Sequence, residues 1–131
     1  MSKAFALYSL LTLALWAMPE GYFAKEEKLS LAKDEYAVYE VLGKPLYFRW
    51  TLFINRGLVM HYGYDGFPYQ NVLYDDYKLN SYKIRLKQRL DDHSEPPYFM
   101  VVFTGMQDGN KKADFTIYVY DPLGTLNAKR K

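Results

Sequence analysis

After residue 35 the chain alternates between apolar and polar positions, the pattern of β-strands that bury one face. The clearest segment is 46–54, whose predicted buried face carries Leu46, Phe48, Trp50, Leu52 and Ile54. It is followed by Asn55-Arg56-Gly57, in which glycine is expected to take the positive φ of a tight hairpin. The pattern therefore predicts β-structure rather than helix for most of the chain.

Six strands are predicted, with turn-forming residues between them. They span residues 36–42, 46–54, 58–64, 81–90, 98–103 and 113–120. Residues 65–79 keep no period and are expected either to form a loop with a functional role or to contain a short helix or strand that the pattern does not place. Short connections favour an antiparallel meander, all-β or mainly β, that closes into a barrel or a barrel-like sheet. Its predicted core contains Phe48, Trp50, Ile84, Leu86, Val101, Phe103, Ile117 and Val119.

The first part of the chain has a different pattern. No formal charge occurs between Lys3 and Pro19, and the apolar residues leave no polar helical face. This layout predicts an N-terminal hydrophobic helix over residues 1–24, either a cleaved signal peptide or an uncleaved signal-anchor. A buried N-terminal helix of a cytosolic protein is the alternative. Export would place the domain in the periplasm or another extracytoplasmic space, held at the inner membrane if the segment is not cleaved.

Charge divides the remainder into three parts. Residues 25–34 are rich in Lys and Glu and are expected to be a charged linker. Residues 35–124 are the predicted β-domain, and residues 125–131 a frayed basic tail. The formal net charge of the whole chain is only +2, which indicates no strongly charged partner. Nucleic acid is therefore not an expected partner.

The residue content excludes several chemistries. With no cysteine, the chain has no disulfide, thiolate metal site or cysteine nucleophile. His61 is expected to be a half-buried, hydrogen-bonded residue, and His93 to lie in a solvated turn. The acid pairs Asp75-Asp76 and Asp91-Asp92 lack the spacing of a calcium loop. We therefore expect no enzyme, no metal site and no cofactor.

Two features indicate binding rather than catalysis. The first is an aromatic cluster, expected to line a pocket or a partner surface or else to be core: Tyr62, Tyr64, Phe67, Tyr69, Tyr74 and Tyr77. The second is a basic stripe on one strand face, which would contact an anionic partner or simply discourage edge pairing: Lys83, Arg85, Lys87 and Arg89.

Together these features predict a non-enzymatic, exported or membrane-anchored β-domain that binds an apolar small molecule, a partner protein or both. In architecture alone, a small β-domain behind one hydrophobic segment is similar to the accessory subunits that stabilise membrane-bound transcriptional regulators. That similarity implies a heterodimer with a sensor or regulator. The alternative is a structural or assembly subunit whose sheet edge pairs with a neighbouring chain.

Overall fold

The computed structural model describes residues 25–76, 78–86, 96–122, 124 and 126–131. This part of the chain is mainly strand, with no helix among the described residues, so the predicted class is confirmed. The strands are β1 (Lys25–Ala32), β2 (Ala37–Val41), β3 (Lys44–Ile54), β4 (Gly57–Tyr64), β5 (Phe67–Tyr74), β6 (Ser81–Arg85), β7 (Tyr98–Gln107), β8 (Lys112–Tyr120) and β9 (Lys129–Arg130).

The strands form two antiparallel sheets. Sheet A has the order β1-β8-β7-β6, and sheet B the order β5-β4-β3-β2-β9. Strands β2 to β5 and β6 to β8 follow one another as the predicted meander. The predicted barrel is wrong for the described residues, because no ladder joins β1 to β2 or β5 to β6. The chain crosses from one sheet to the other at these two places and again between β8 and β9, and within the described residues both sheets keep open edges.

Aromatic side chains from the two sheets meet in the core. The ring of Phe48 in sheet B lies 5.7 Å from that of Phe115 and 6.5 Å from that of Phe99, both in sheet A. The Trp50 indole Nε1 donates a buried hydrogen bond of 2.8 Å to the Leu31 carbonyl, which joins β3 to β1. The predicted core is confirmed, although Leu86 is only partly buried. Burial of this apolar surface is the main stabilising contribution to the fold.

A β-bulge in β3 corrects the predicted buried face of this strand. The register with β4 shifts between Trp50 and Leu52, so Thr51 is an extra residue and alternation reverses after it. Phe53 consequently points inward, with its ring 6.2 Å from that of Phe103. Leu52 and Ile54, predicted to be core, lie on the outside and are 47% and 57% exposed.

The β3–β4 turn also differs from its prediction. The positive φ angles belong to Asn55 and Arg56, at 52° and 65°, as expected of a two-residue type I′ hairpin. Gly57 is required for a different reason, which is lack of space. A Cβ atom there would lie 2.9 Å from Cγ1 of Val72 and 3.2 Å from Cε1 of Tyr74. The glycine therefore lets two β5 side chains lie against β4.

Three segments predicted to lack regular structure contain strands. The predicted loop 65–79 contains β5, because Asp65-Gly66 forms a tight turn with φ angles of 52° and 79°. The predicted linker 25–34 contains β1, which pairs with β8. The predicted frayed tail contains β9, and Leu126 before it is fully buried. For β1 and β9, pairing with a distant strand stabilises a segment whose own sequence pattern is weak.

The predicted signal peptide or signal-anchor, residues 1–24, lies outside the described residues. Within the described part of the chain there is no helix of sufficient length and hydrophobicity to cross a bilayer.

Candidate functional site

The β4–β5 hairpin carries most of the predicted aromatic cluster and divides it in two. Tyr62 and Tyr64 in β4 point inward and belong to the core. Phe67, Tyr69 and Tyr74 in β5 are 63%, 39% and 41% exposed. Tyr77 lies outside the described residues. The hairpin therefore presents three exposed rings on the last strand of sheet B.

Exposed apolar side chains are concentrated around β5. All the large exposed hydrophobic residues of the described chain lie between residues 36 and 79, and none lies on sheet A. They are Tyr36, Tyr47, Leu52, Ile54, Phe67, Tyr69, Val72, Tyr74 and Leu79. Such a concentration on one sheet is typical of an interaction surface rather than of scattered exposed side chains.

Strand pairing makes part of this surface continuous. On the outside of sheet B, Leu52 lies opposite Val59, and Val59 lies opposite Val72. In the next row Gly57 separates Ile54 from Tyr74. We call these residues the outer patch: Leu52, Ile54, Val59, Val72 and Tyr74. The patch exists because the bulge turns the end of β3 outward, and it extends to the edge of the sheet.

The two core tyrosines differ in how their hydroxyl groups are bonded. The Tyr64 hydroxyl donates a hydrogen bond of 3.0 Å to the Val41 carbonyl. The Tyr62 hydroxyl is buried without a hydrogen-bond partner among the described residues. The Tyr62 ring lies 4.9 Å from the ring of Tyr82 in β6, an edge strand of sheet A. The Oδ1 atom of Asn71 in β5 is a second buried atom without a partner in this part of the chain.

Removing these hydroxyl groups is expected to have different consequences. Tyr64→Phe should lower the free energy of unfolding by about 1–2 kcal/mol, because the buried Val41 carbonyl loses its donor. Tyr62→Phe should leave it unchanged or raise it by under about 1 kcal/mol, because an unbonded buried polar group is removed. Urea unfolding of both variants measures the difference, and a larger loss for Tyr62→Phe would contradict the described bonding.

Alkaline pH is expected to destabilise the domain. Burial raises the pKa of Tyr62 and, together with the Glu27 carboxylate, that of Tyr39, both from 10.0. Below pH 10 both hydroxyl groups are protonated in the folded and in the unfolded chain. Above pH 10 they ionise only in the unfolded chain. The free energy of unfolding should then fall by about 1.4 kcal/mol per pH unit for each group. Denaturant titrations at about pH 9 and pH 11 test this prediction. In Tyr62→Phe the free energy of unfolding should depend less steeply on pH than in the wild type.

The predicted basic stripe lies on the other sheet. Lys83 and Arg85 of β6 are exposed on the outside of sheet A, and Lys87 and Arg89 lie outside the described residues. The Nζ atom of Lys83 is 4.4 Å from the centroid of the Tyr98 ring, a cation–π contact. The outer patch and the two described basic residues therefore belong to different sheets.

Two polar side chains that could support catalysis, His61 and Asp75, bond to other side chains of the described structure. The Nε2 atom of His61, which is half-buried as predicted, lies 3.1 Å from Oγ1 of Thr51. The Asp75 carboxylate accepts a hydrogen bond of 2.7 Å from Nε of Arg56. Within the described ranges no three metal-ligating side chains converge.

One open depression on sheet A carries a polar cluster. It has a volume of about 500 Å³ and lies beside Ser30, Gln107 and Asp114. The Gln107 amide donates to the Asp114 carboxylate at 2.6 Å and to the Ser30 hydroxyl oxygen at 2.8 Å, and Ser30 donates to the same carboxylate. Because these polar side chains bond to one another, the cluster is explained as a cross-strand support of sheet A.

Comparison of the chain with protein-family models, with curated proteins and with solved structures finds no match in any of the three.

Proposed function

We propose that this chain is a non-enzymatic, exported or membrane-anchored β-domain that binds another protein chain along β5 and the adjoining outer patch. The observation that carries this proposal is the nature of the exposed edge. Strand β5 has the sequence Phe-Pro-Tyr-Gln-Asn-Val-Leu-Tyr, without one charged residue, and it ends its sheet. Proteins usually protect such edges with charge or by covering them.

An extended protein segment suits this edge better than a small apolar molecule does. A strand added to β5 would bond to its outward-facing backbone groups, while its side chains contact the outer patch on one side and Tyr69 on the other. Phe67 and Tyr69 are large, amphipathic or apolar side chains of the kind enriched at protein interfaces. The assembly role considered from the sequence thus becomes the favoured form of binding.

Export remains part of the proposal and rests on the uncharged run between Lys3 and Pro19. A fusion of residues 1–30 to a reporter that is active only outside the cytoplasm should give signal. A silent reporter, with the native protein in the cytosol, would contradict this part of the proposal without affecting the binding surface.

Photo-cross-linking tests the binding surface in the cell that makes this protein. An aromatic photo-reactive residue replaces Phe67, and a matched variant carries it at Thr104, an exposed position of sheet A. We expect a discrete protein adduct from position 67 and none from position 104. The adduct should also be lost when Gln70→Pro removes an edge donor. Equal cross-linking from both positions, or none from position 67, would contradict the proposal.

A further inference from the structure

We infer that the chain bound by the β5 edge is a second copy of the same protein, paired β5 to β5 in antiparallel orientation about a two-fold axis at Asn71. This inference rests on the proposed function and names its partner. A two-fold interface requires one surface to be complementary to itself, with like charges kept away from the axis. The β5 edge meets this requirement in its charge, its backbone groups and its side chains.

Charge separates β5 from the other edge strands of the described structure. β1 contains two lysines and two glutamates, β6 contains Lys83 and Arg85, and β9 consists of Lys129 and Arg130. In any self-pairing of β6 or β9, like charges would approach one another. Among these four edges β5 is the one without a charged residue, so that pairing with its own copy brings no like charges together.

The backbone of β5 defines which groups face the open edge. Its pairing with β4 places Phe67 opposite Tyr64 across a two-residue turn, which is a hydrogen-bonded pair. Alternation then directs the backbone groups of Pro68, Gln70 and Val72 away from β4. The Tyr74 amide confirms this phase, because it donates to the Leu79 carbonyl at 3.0 Å rather than to β4.

Two positions limit the length of this edge. Pro68 has no N–H group, and the N–H group of Tyr74 is already engaged by Leu79. Gln70 and Val72 lie between them with both N–H and C=O directed outward. In a dimer whose two-fold axis passes through Asn71, Gln70 of each copy lies opposite Val72 of the other copy. Each of these two pairs exchanges two backbone hydrogen bonds, which gives four in all. Pro68 then lies opposite Tyr74, so the two residues without an available donor face each other.

The neighbouring registers leave some of the outward-facing backbone groups of β5 without a hydrogen-bond partner. An axis at Gln70 would place Pro68 opposite Val72, whose carbonyl would then have no donor. An axis at Val72 would place Gln70 opposite Tyr74, whose N–H group is engaged. Only the axis at Asn71 bonds every outward N–H and C=O group of Gln70 and Val72.

The side chains support the same axis. Asn71 would face Asn71 of the second copy, so that an uncharged side chain lies at the two-fold axis. On the same face Tyr69 would lie beside Leu73 of the other copy, and on the outer face Tyr74 would lie beside Pro68. The exposed rings of Tyr69 and Tyr74 would thus be covered by apolar side chains.

A cysteine scan tests the position of the axis. Because the chain has no native cysteine, each variant carries a single thiol. Single Cys substitutions are made at Gln70, Asn71 and Val72 in the full chain, held in a mild detergent because residues 1–24 are apolar. Directly opposite residues at a non-hydrogen-bonded site have Cα atoms about 4.5 Å apart, within reach of a disulfide. We expect mild oxidation to link Asn71→Cys into a dimer, whereas Gln70→Cys and Val72→Cys, about 7–8 Å from their copies, should stay monomeric.

Sedimentation of the cysteine-free chain provides a second, independent measurement. The wild type should dimerise reversibly, and Gln70→Pro should raise the dissociation constant about tenfold or more, because two of the four bonds are lost. Gln70→Thr keeps the N–H group and should dimerise like the wild type. Cross-linking at position 70 or 72 instead of 71 would overturn the proposed axis.

The inference and the proposed function fail in different ways. A monomeric wild type at every concentration, with no disulfide from position 71, would overturn the inference. If the photo-reactive residue at position 67 still gave an adduct of another mass, the edge would bind a different protein and the proposed function would stand. An adduct of twice the chain mass supports both.

Discussion

Val101→Asp is expected to unfold the domain. Val101 is fully buried in β7, a central strand of sheet A, between Tyr82 on one neighbour and Ile117 on the other. A carboxylate there would lose its hydration without gaining a partner, and the cost should exceed about 4 kcal/mol. Because small domains are stable by only about 5–15 kcal/mol, most of the stability should be lost. Far-UV circular dichroism and urea unfolding measure the effect.

Thr104→Asp is the matched control for this prediction. It introduces the same charge in the same strand, but Thr104 is exposed and the carboxylate keeps its water. Its free energy of unfolding should remain within about 0.5 kcal/mol of the wild type. Similar losses in the two variants would mean that β7 is not packed between its neighbours as described.

Tyr62→Ala is expected to cost about 3–5 kcal/mol of stability, the range for truncation of a buried aromatic side chain. Tyr62 is almost completely buried and packs against Phe48 and Tyr82, with ring centroids 6.3 Å and 4.9 Å away. The cavity left by its ring would lie between the two sheets. Thermal and urea unfolding give the loss directly.

Tyr69→Ala provides a control in the same aromatic cluster. Tyr69 is the cross-strand neighbour of Tyr62 but belongs to the edge strand and is partly exposed. We expect it to cost under about 1 kcal/mol of stability while weakening protein association at the β5 edge. If Tyr69→Ala were as destabilising as Tyr62→Ala, the cluster would be core throughout, and β5 would offer no binding surface.

Period-two alternation was sufficient to predict the class and most of the core. It identified Phe48, Trp50, Val101 and Ile117 because the register shifts of β3 and β7 come after Trp50 and Phe103 and leave the pairing at these positions undisturbed. It was wrong for Leu52 and Ile54, since a single extra residue reverses the faces of a strand and no local signal marks this bulge. A count of apolar positions cannot detect such a reversal.

The missed strands have separate physical causes. β5 could have been predicted, because Asp65-Gly66 between apolar residues is a strong hairpin signal. β1 could not, since only Leu29 and Leu31 mark its buried side among charged neighbours. Its position depends on pairing with β8 and on the ion pair of 2.7 Å between Glu27 and Arg130. Neither interaction is local in sequence.

The candidate site was only half predictable for a related reason. The aromatic density of residues 62–77 marked the hairpin, but the rings of β4 are core whereas those of the edge strand β5 are exposed. The outer patch combines β3, β4 and β5, and its members come together through the bulge and through Gly57. Nothing in the spacing of Leu52 and Val72 along the chain indicates that they lie on either side of Val59.

The pairing of β1 with β8 has a consequence for the order in which this protein folds during synthesis. Residues 25–32 leave the ribosome well before their partners, residues 112–119, have been made. The hairpins of β2 to β5 can form as they emerge, whereas sheet A must close a long loop, which is slow and entropically costly. Until then the aromatic face of sheet B lacks its cover. Sheet A, and with it the core between the two sheets, therefore stays incomplete until residues 112–119 have emerged.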